Sequence, residues 1–152
     1  MASFRRPIRR LRDGSYSFDI DTDLKRFIAD LAGQLEEVLG DDAPMLRRLF
    51  PTAYPDDPER DAGYQVFARG ELIDQRQASI DQVRATVDQK TLSEEELLAW
   101  MRTVNDLRLV LGTQLDVSED DDGPSTDDPH ADAYHVYQVL GMALEEIVQG
   151  LT

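Results

Sequence analysis

The sequence predicts an all-α protein: a mainly antiparallel bundle of about five helices with a small N-terminal β-hairpin. Three observations carry this. Apolar residues recur at helical spacing over several long stretches. Two acid–proline pairs, Asp57-Pro58 and Asp128-Pro129, each combine an N-cap with a proline suited to the first helical position. The Asp13-Gly14 pair precedes Tyr16, Phe18 and Ile20, an alternation that belongs to a strand. With 152 residues, 41% hydrophobic and 31% charged, the chain suits one globular domain spanning residues 1–152, not a disordered one.

Taken in order, residues 7–20 read as the hairpin, closed by a two-residue type I′ turn at Asp13-Gly14. A hairpin alone is marginal in water, so this one must dock on something. Asp21 or Thr22 caps a helix over 21–39. Its stripe is Leu24, Phe27, Ile28, Leu31, Leu35 and Val38, and Gly40 supplies the stop. Pro44 opens a short helix over 44–50 with Met45, Leu46, Leu49 and Phe50 on its apolar face. Three prolines in 51–58 prevent its continuation.

A long helix is expected over 58–89. Val66, Ile73, Ile80 and Val87 recur every seven residues, with Arg69, Arg76 and Val83 three residues after the first three. This heptad suits packing against a neighbouring helix, either within the chain or in a second copy as a homodimer. In the intramolecular case the two arginines lie along the seam edge with their heads in water. Ser93 and Glu96 form a capping box for a helix over 94–115, whose face carries Leu97, Trp100, Met101, Val104, Leu107 and Leu111. Residues 116–128 form an acidic loop. The last helix, 129–151, is apolar on much of its circumference and should sit centrally, with Gly141 permitting close helix approach.

The net charge is −15, which disfavours nucleic acid and anionic lipid as partners. Five arginines and no acid fall in residues 1–12, an arm expected to lie against the acidic body or to touch phosphate or an acidic partner. Absence of cysteine excludes disulfides, thiolate catalysis and zinc–thiolate sites. No apolar run reaches the roughly 20 residues of a membrane helix, and no secretory signal follows the arginines, so a cytoplasmic protein is expected. The acidic loop fails as an EF-hand: with Gly123 at the sixth position, Pro129 stands where the bidentate Glu belongs. His130 and His135 are five apart, off one helix face. No nucleophile elbow, phosphate loop or dinucleotide fingerprint is present. No catalytic residue, metal ligand or cofactor is therefore assigned.

Arg108 is the most informative residue. An arginine within an apolar stripe keeps its charge and requires a partner. Either it forms a structural ion pair, anchoring the 51–61 segment through Asp56, Asp57, Glu59 or Asp61, or it captures an anion. Arg102 and Asp106, four apart, are placed to pair along the helix. The candidate binding residues are Arg102, Asn105, Asp106, Arg108, Arg69 and Arg76, and the candidate oligomer seam is Val66, Ile73, Ile80 and Val87. The leading expectation is a non-enzymatic protein-interaction or regulatory module. The alternative is a small-anion sensor or enzyme using Arg108.

The stretches LFPTAYPDDPE (Leu49–Glu59), SEEEL (Ser93–Leu97) and WMRTVNDLRLVLGTQL (Trp100–Leu115) resemble an uncharacterised actinobacterial family, a domain of unknown function. Its members are typically encoded beside the adaptor that feeds N-degron substrates to the Clp protease. The resemblance implies a cytosolic bacterial protein linked to Clp proteolysis and brings no catalytic residue with it.

Overall fold

The computed structural model describes residues 6–40, 46, 49, 54–115 and 131–152, with the side chains of Val66 and Phe67 excepted. The helix expected at 44–50 (apart from Leu46 and Leu49), the acidic loop and the Asp128-Pro129 cap lie outside the described residues. The protein is mainly all-α. The described helices are α1 (Thr22–Val38), α2 (Pro58–Thr86), α3 (Glu94–Gln114) and α4 (Ala131–Leu151), with strands β1 (Ile8–Arg10), β2 (Tyr16–Phe18) and β3 (Thr91–Leu92).

The hairpin docks as two strands of an antiparallel sheet ordered β1-β2-β3. Ile8 pairs with Phe18, Arg10 with Tyr16, and Tyr16 in turn with Leu92. Its connection differs from the expected two-residue turn. Leu11 N donates to Ser15 O (2.7 Å) and Gly14 N to Leu11 O (3.1 Å), enclosing Arg12, Asp13 and Gly14. Gly14 has φ 90°, the left-handed residue that such three-residue loops need. Asp13 Oδ1 holds the exit by accepting from Ser15 N and Oγ. As the central strand, β2 is covered on both faces: Tyr16, Ser17 and Phe18 are all buried.

Phe18 joins sheet to bundle. Its ring lies 4.8 Å from that of Trp100, and the Lys25 ammonium sits 4.6 Å above it from α1. Lys25 Nζ also donates to Gln89 O at 3.1 Å, and burial lowers its pKa. The helix expected to reach residue 89 ends at Thr86 because the following residues serve this junction. Phe18 N donates to Lys90 O, and Thr91–Leu92 become β3. Thr86 Oγ1 donates to Gln82 O (2.7 Å) and accepts from Trp100 Nε1 (2.8 Å). Replacing Thr86 by Val leaves a buried indole N–H without an acceptor. We expect a loss of about 1–3 kcal/mol, measured by urea unfolding with the single tryptophan as probe; an unchanged midpoint would show the bond is energetically idle.

Two helix starts follow their expected caps, whereas Asp21, the residue before α1, makes no side-chain cap bond. Asp57 accepts from Arg60 N at 3.1 Å, with Pro58 in the first turn, and Ser93 and Glu96 complete the capping box. The core is one cluster, with Ile28, Val83, Leu97, Trp100, Val104, Leu140 and Ile147 fully buried. Leu46 and Leu49 belong to it. α4 is less central than its composition suggests: Leu140, Ala143 and Ile147 are buried, but Met142 is 68% and Val148 42% exposed. In α1, Phe27 is 40% exposed although it falls on the apolar stripe.

Candidate functional site

The expected binding residues diverge around α3. Asp106 faces α2, where its Oδ2 lies 3.4 Å from Arg76 Nε; the side chains are 11% and 20% exposed. Burial pushes the Asp106 carboxyl up to about 6, and the Arg76 guanidinium draws it part of the way back. The expected Arg102–Asp106 pair is therefore replaced by a pair between helices. Arg102 is exposed, whereas the buried carboxylate needs a cation that reaches it inside the α2–α3 contact. For the same reason Arg76 does not hold its head in water at the seam edge.

Arg108 faces the other way, toward α4. Its guanidinium lies 4.8 Å over the Tyr137 ring, a cation–π contact. Gly141, one turn on from Tyr137, makes room for it: a Cβ there would stand 3.2 Å from Arg108 Nε. The expected ion pair with Asp56, Asp57, Glu59 or Asp61 is not formed. Asp57 caps α2, and Asp61 Oδ1 accepts from Tyr54 N. The buried Arg108 Nε has no hydrogen-bond acceptor among the described residues. Around it opens a hollow of about 600 Å³, bordered by Tyr137, Met142, Glu145 and Val148. The arrangement combines a cation, an aromatic face and exposed apolar side chains. It has the elements to recognise a carboxylate flanked by apolar groups, but offers no nucleophile–base pair.

The remaining expected residues are scattered. Asn105 is exposed and Arg69 half-buried on α2. Of the heptad, Ile80 is fully buried in the core, and Ile73 and Val87 pack against it; the side chain of Val66 lies outside the described residues. Neither Tyr137 on α4 nor Lys25 on α1 stands out in the sequence as a partner of a charged or aromatic group. Among the described residues no group of three or more His, Cys, Asp or Glu is placed to hold a metal ion. No described helix is long and apolar enough to cross a membrane.

The family model "Domain of unknown function (DUF2017)" matches residues 1–151. The chain is also similar to the oxidative stress regulator AosR of Mycobacterium tuberculosis and of Mycobacterium bovis, at 33% identity over 125 residues in each case. The match covers 69% of this chain and 56% of each relative, so the chain spans about half the length of the curated relatives it matches. No solved structure matches it.

Proposed function

We propose, starting from the fact that this chain belongs to the DUF2017 family, that it is a non-enzymatic regulatory module acting in the cytoplasm by binding a partner protein. The observation that carries the reading is the α3–α4 hollow, where Met142 and Val148 are exposed beside a guanidinium whose buried Nε lacks an acceptor. The Nε itself is enclosed, so a docked carboxylate would meet the terminal nitrogens of this guanidinium, which forms no ion pair with a described residue. The likeness to a protein named as an oxidative stress regulator supports the regulatory part. This chain has no cysteine, so such a response would reach it through a partner and not through a thiol of its own.

The test compares crosslinked capture from native cytosol by the wild type and by a Met142→Glu/Val148→Glu variant. Partners retained by the first and lost by the second are expected; an identical set from both would overturn the assignment of this face. Arg108→Gln should cost only about 1 kcal/mol of stability, the scale of a half-exposed cation–π contact, and should still abolish capture. A second reading, a small-anion sensor at Arg108, draws on the same guanidinium, which forms no ion pair with a described residue. It expects Arg108→Gln to lose an anion-induced rise in Tm that the apolar-face variant keeps.

The narrower link to Clp proteolysis rests on the sequence resemblance, and requires Clp subunits among the captured proteins. Homodimerisation through α2 would have to use the N-terminal part of the heptad, because Ile80 is committed to its own core. A monomer mass in sedimentation equilibrium at tens of micromolar would eliminate it.

A further inference from the structure

At about 100° per residue, Gln138, Gly141, Glu145 and Val148 fall on one stripe of α4, at alternating steps of three and four. The stripe lies across the helix from the buried Leu140, Ala143 and Ile147. Gln138, Glu145 and Val148 are exposed, and Met142 beside them is 68% exposed. The spacing is that of a helix packed against another helix, yet no described element covers this side of α4.

The face carries one charge of each sign. Arg108 and Glu145 both border the hollow, and neither forms an ion pair with a described residue. Their charged ends are held apart. The guanidinium lies over the Tyr137 ring and close to Gly141, while Glu145 Oε1 accepts from Gln149 Nε2 at 3.3 Å, one turn further toward the C-terminus. A face with an unmatched cation and an unmatched carboxylate is self-complementary under a two-fold axis. With that axis crossing α4 midway between Gly141 and Glu145, two copies of the helix run antiparallel. Each Glu145 then stands opposite the other copy's Gly141, where no side chain separates it from that copy's Arg108. Val148 stands opposite the other copy's Gln138, and the two Met142 side chains flank the axis.

We propose that this face binds the same face of a second copy of the chain, giving a symmetric dimer with two reciprocal Arg108–Glu145 ion pairs around Met142 and Val148. A foreign partner would have to supply a matching cation and carboxylate, whereas a second copy carries both. The proposal rests on reading the α3–α4 hollow as an interface, and it names the partner.

Each copy carries a net charge of −15, so the test is run at about 0.15 M salt, where repulsion beyond roughly 8 Å is screened. Sedimentation equilibrium of the whole chain from about 5 to about 300 μM should show monomer and dimer with a Kd of about 10–100 μM, the weak range expected of one helix face per copy. Arg108→Glu alone and Glu145→Arg alone should each be monomeric, because each sets like charges opposite one another at both pairs. Mixed in equal amounts, the two variants should form a heterodimer, since both pairs are then restored. An ion pair formed within one chain predicts no such rescue. Should Arg108→Glu not fold, Met142→Glu takes its place: at its exposed position it should keep the fold and raise the Kd at least about tenfold. A monomer mass at about 300 μM, a dimer that both charge variants retain, or no association on mixing them would overturn the proposal. A monomeric chain that still captures other proteins through Met142 and Val148 removes self-association alone and leaves the interface reading standing. Heterodimer rescue, with capture from cytosol unchanged by Met142→Glu/Val148→Glu, supports self-association and removes the foreign partner.

Discussion

Gly150→Ala is expected to destabilise this protein by about 2–3 kcal/mol, even though alanine is the better helix former. The last turn of α4 closes over the edge strand β1. A Cβ at position 150 would stand 2.3 Å from Ile8 Cγ2, 2.8 Å from Ile8 Cβ and 3.1 Å from the Ile8 carbonyl oxygen. The last of these is backbone and the first two belong to a β-branched side chain that is 1% exposed, so neither can yield cheaply. Relief requires moving α4 away from β1, which uncovers Ile8 and exposes an unpaired strand edge. The internal control is Gly70→Ala. That glycine is exposed within α2 and has nothing within 4 Å of its added methyl, so the same substitution should stabilise by about 0.5–1 kcal/mol. Opposite signs in urea unfolding are the expected result. A Gly150→Ala midpoint at or above wild type would show that α4 does not seal the sheet edge.

That closure also marks the limit of what the sequence discloses. Local chemistry was legible: the Asp57-Pro58 start, the Ser93–Glu96 box and the positive φ at Gly14 each follow from the backbone needs of one turn. Non-local commitments were not. Nothing separates Gly150 from an ordinary glycine near a helix end until Ile8, far away in the chain, is found against it. β3 is two residues long, too short for any period, and is defined by its pairing with β2. The apolar circumference of α4 is wider than its buried face, because Val148 has the composition of a core residue but is 42% exposed. The same gap governed the charged candidates. Spacing along α3 suggested that Arg102 pairs with Asp106. Rotation of the two side chains by less than half a helical turn decides which one reaches α2, and that depends on where α2 lies.

Asp106 is where that placement has its largest chemical consequence. Its folded carboxyl titrates at about 6 against an ordinary 3.8, because burial penalises the anion more than Arg76 stabilises it. Between these two values the folded state holds a proton that the unfolded state has released. This carboxyl's contribution to stability is therefore fully present below 3.8, falls as pH rises through the window, and levels off above about 6. Two pKa units correspond to about 3 kcal/mol. Because the isoelectric point lies near 4.3, where solubility is poorest, the practical range is the upper part of the window. Asp106→Asn carries no titrating group, so the stability difference between wild type and this variant should change by about 1–2 kcal/mol between pH 5 and pH 7.5, in favour of the wild type at the acidic end. The carboxyl carbon of Asp106, followed by NMR, should titrate near the same midpoint. Arg76→Gln should move that midpoint upward, since removing the cation leaves burial unopposed. A midpoint near 4 in the wild type would mean that water reaches this carboxylate between α2 and α3, and an unmoved midpoint in Arg76→Gln would mean that the guanidinium is not its partner in solution.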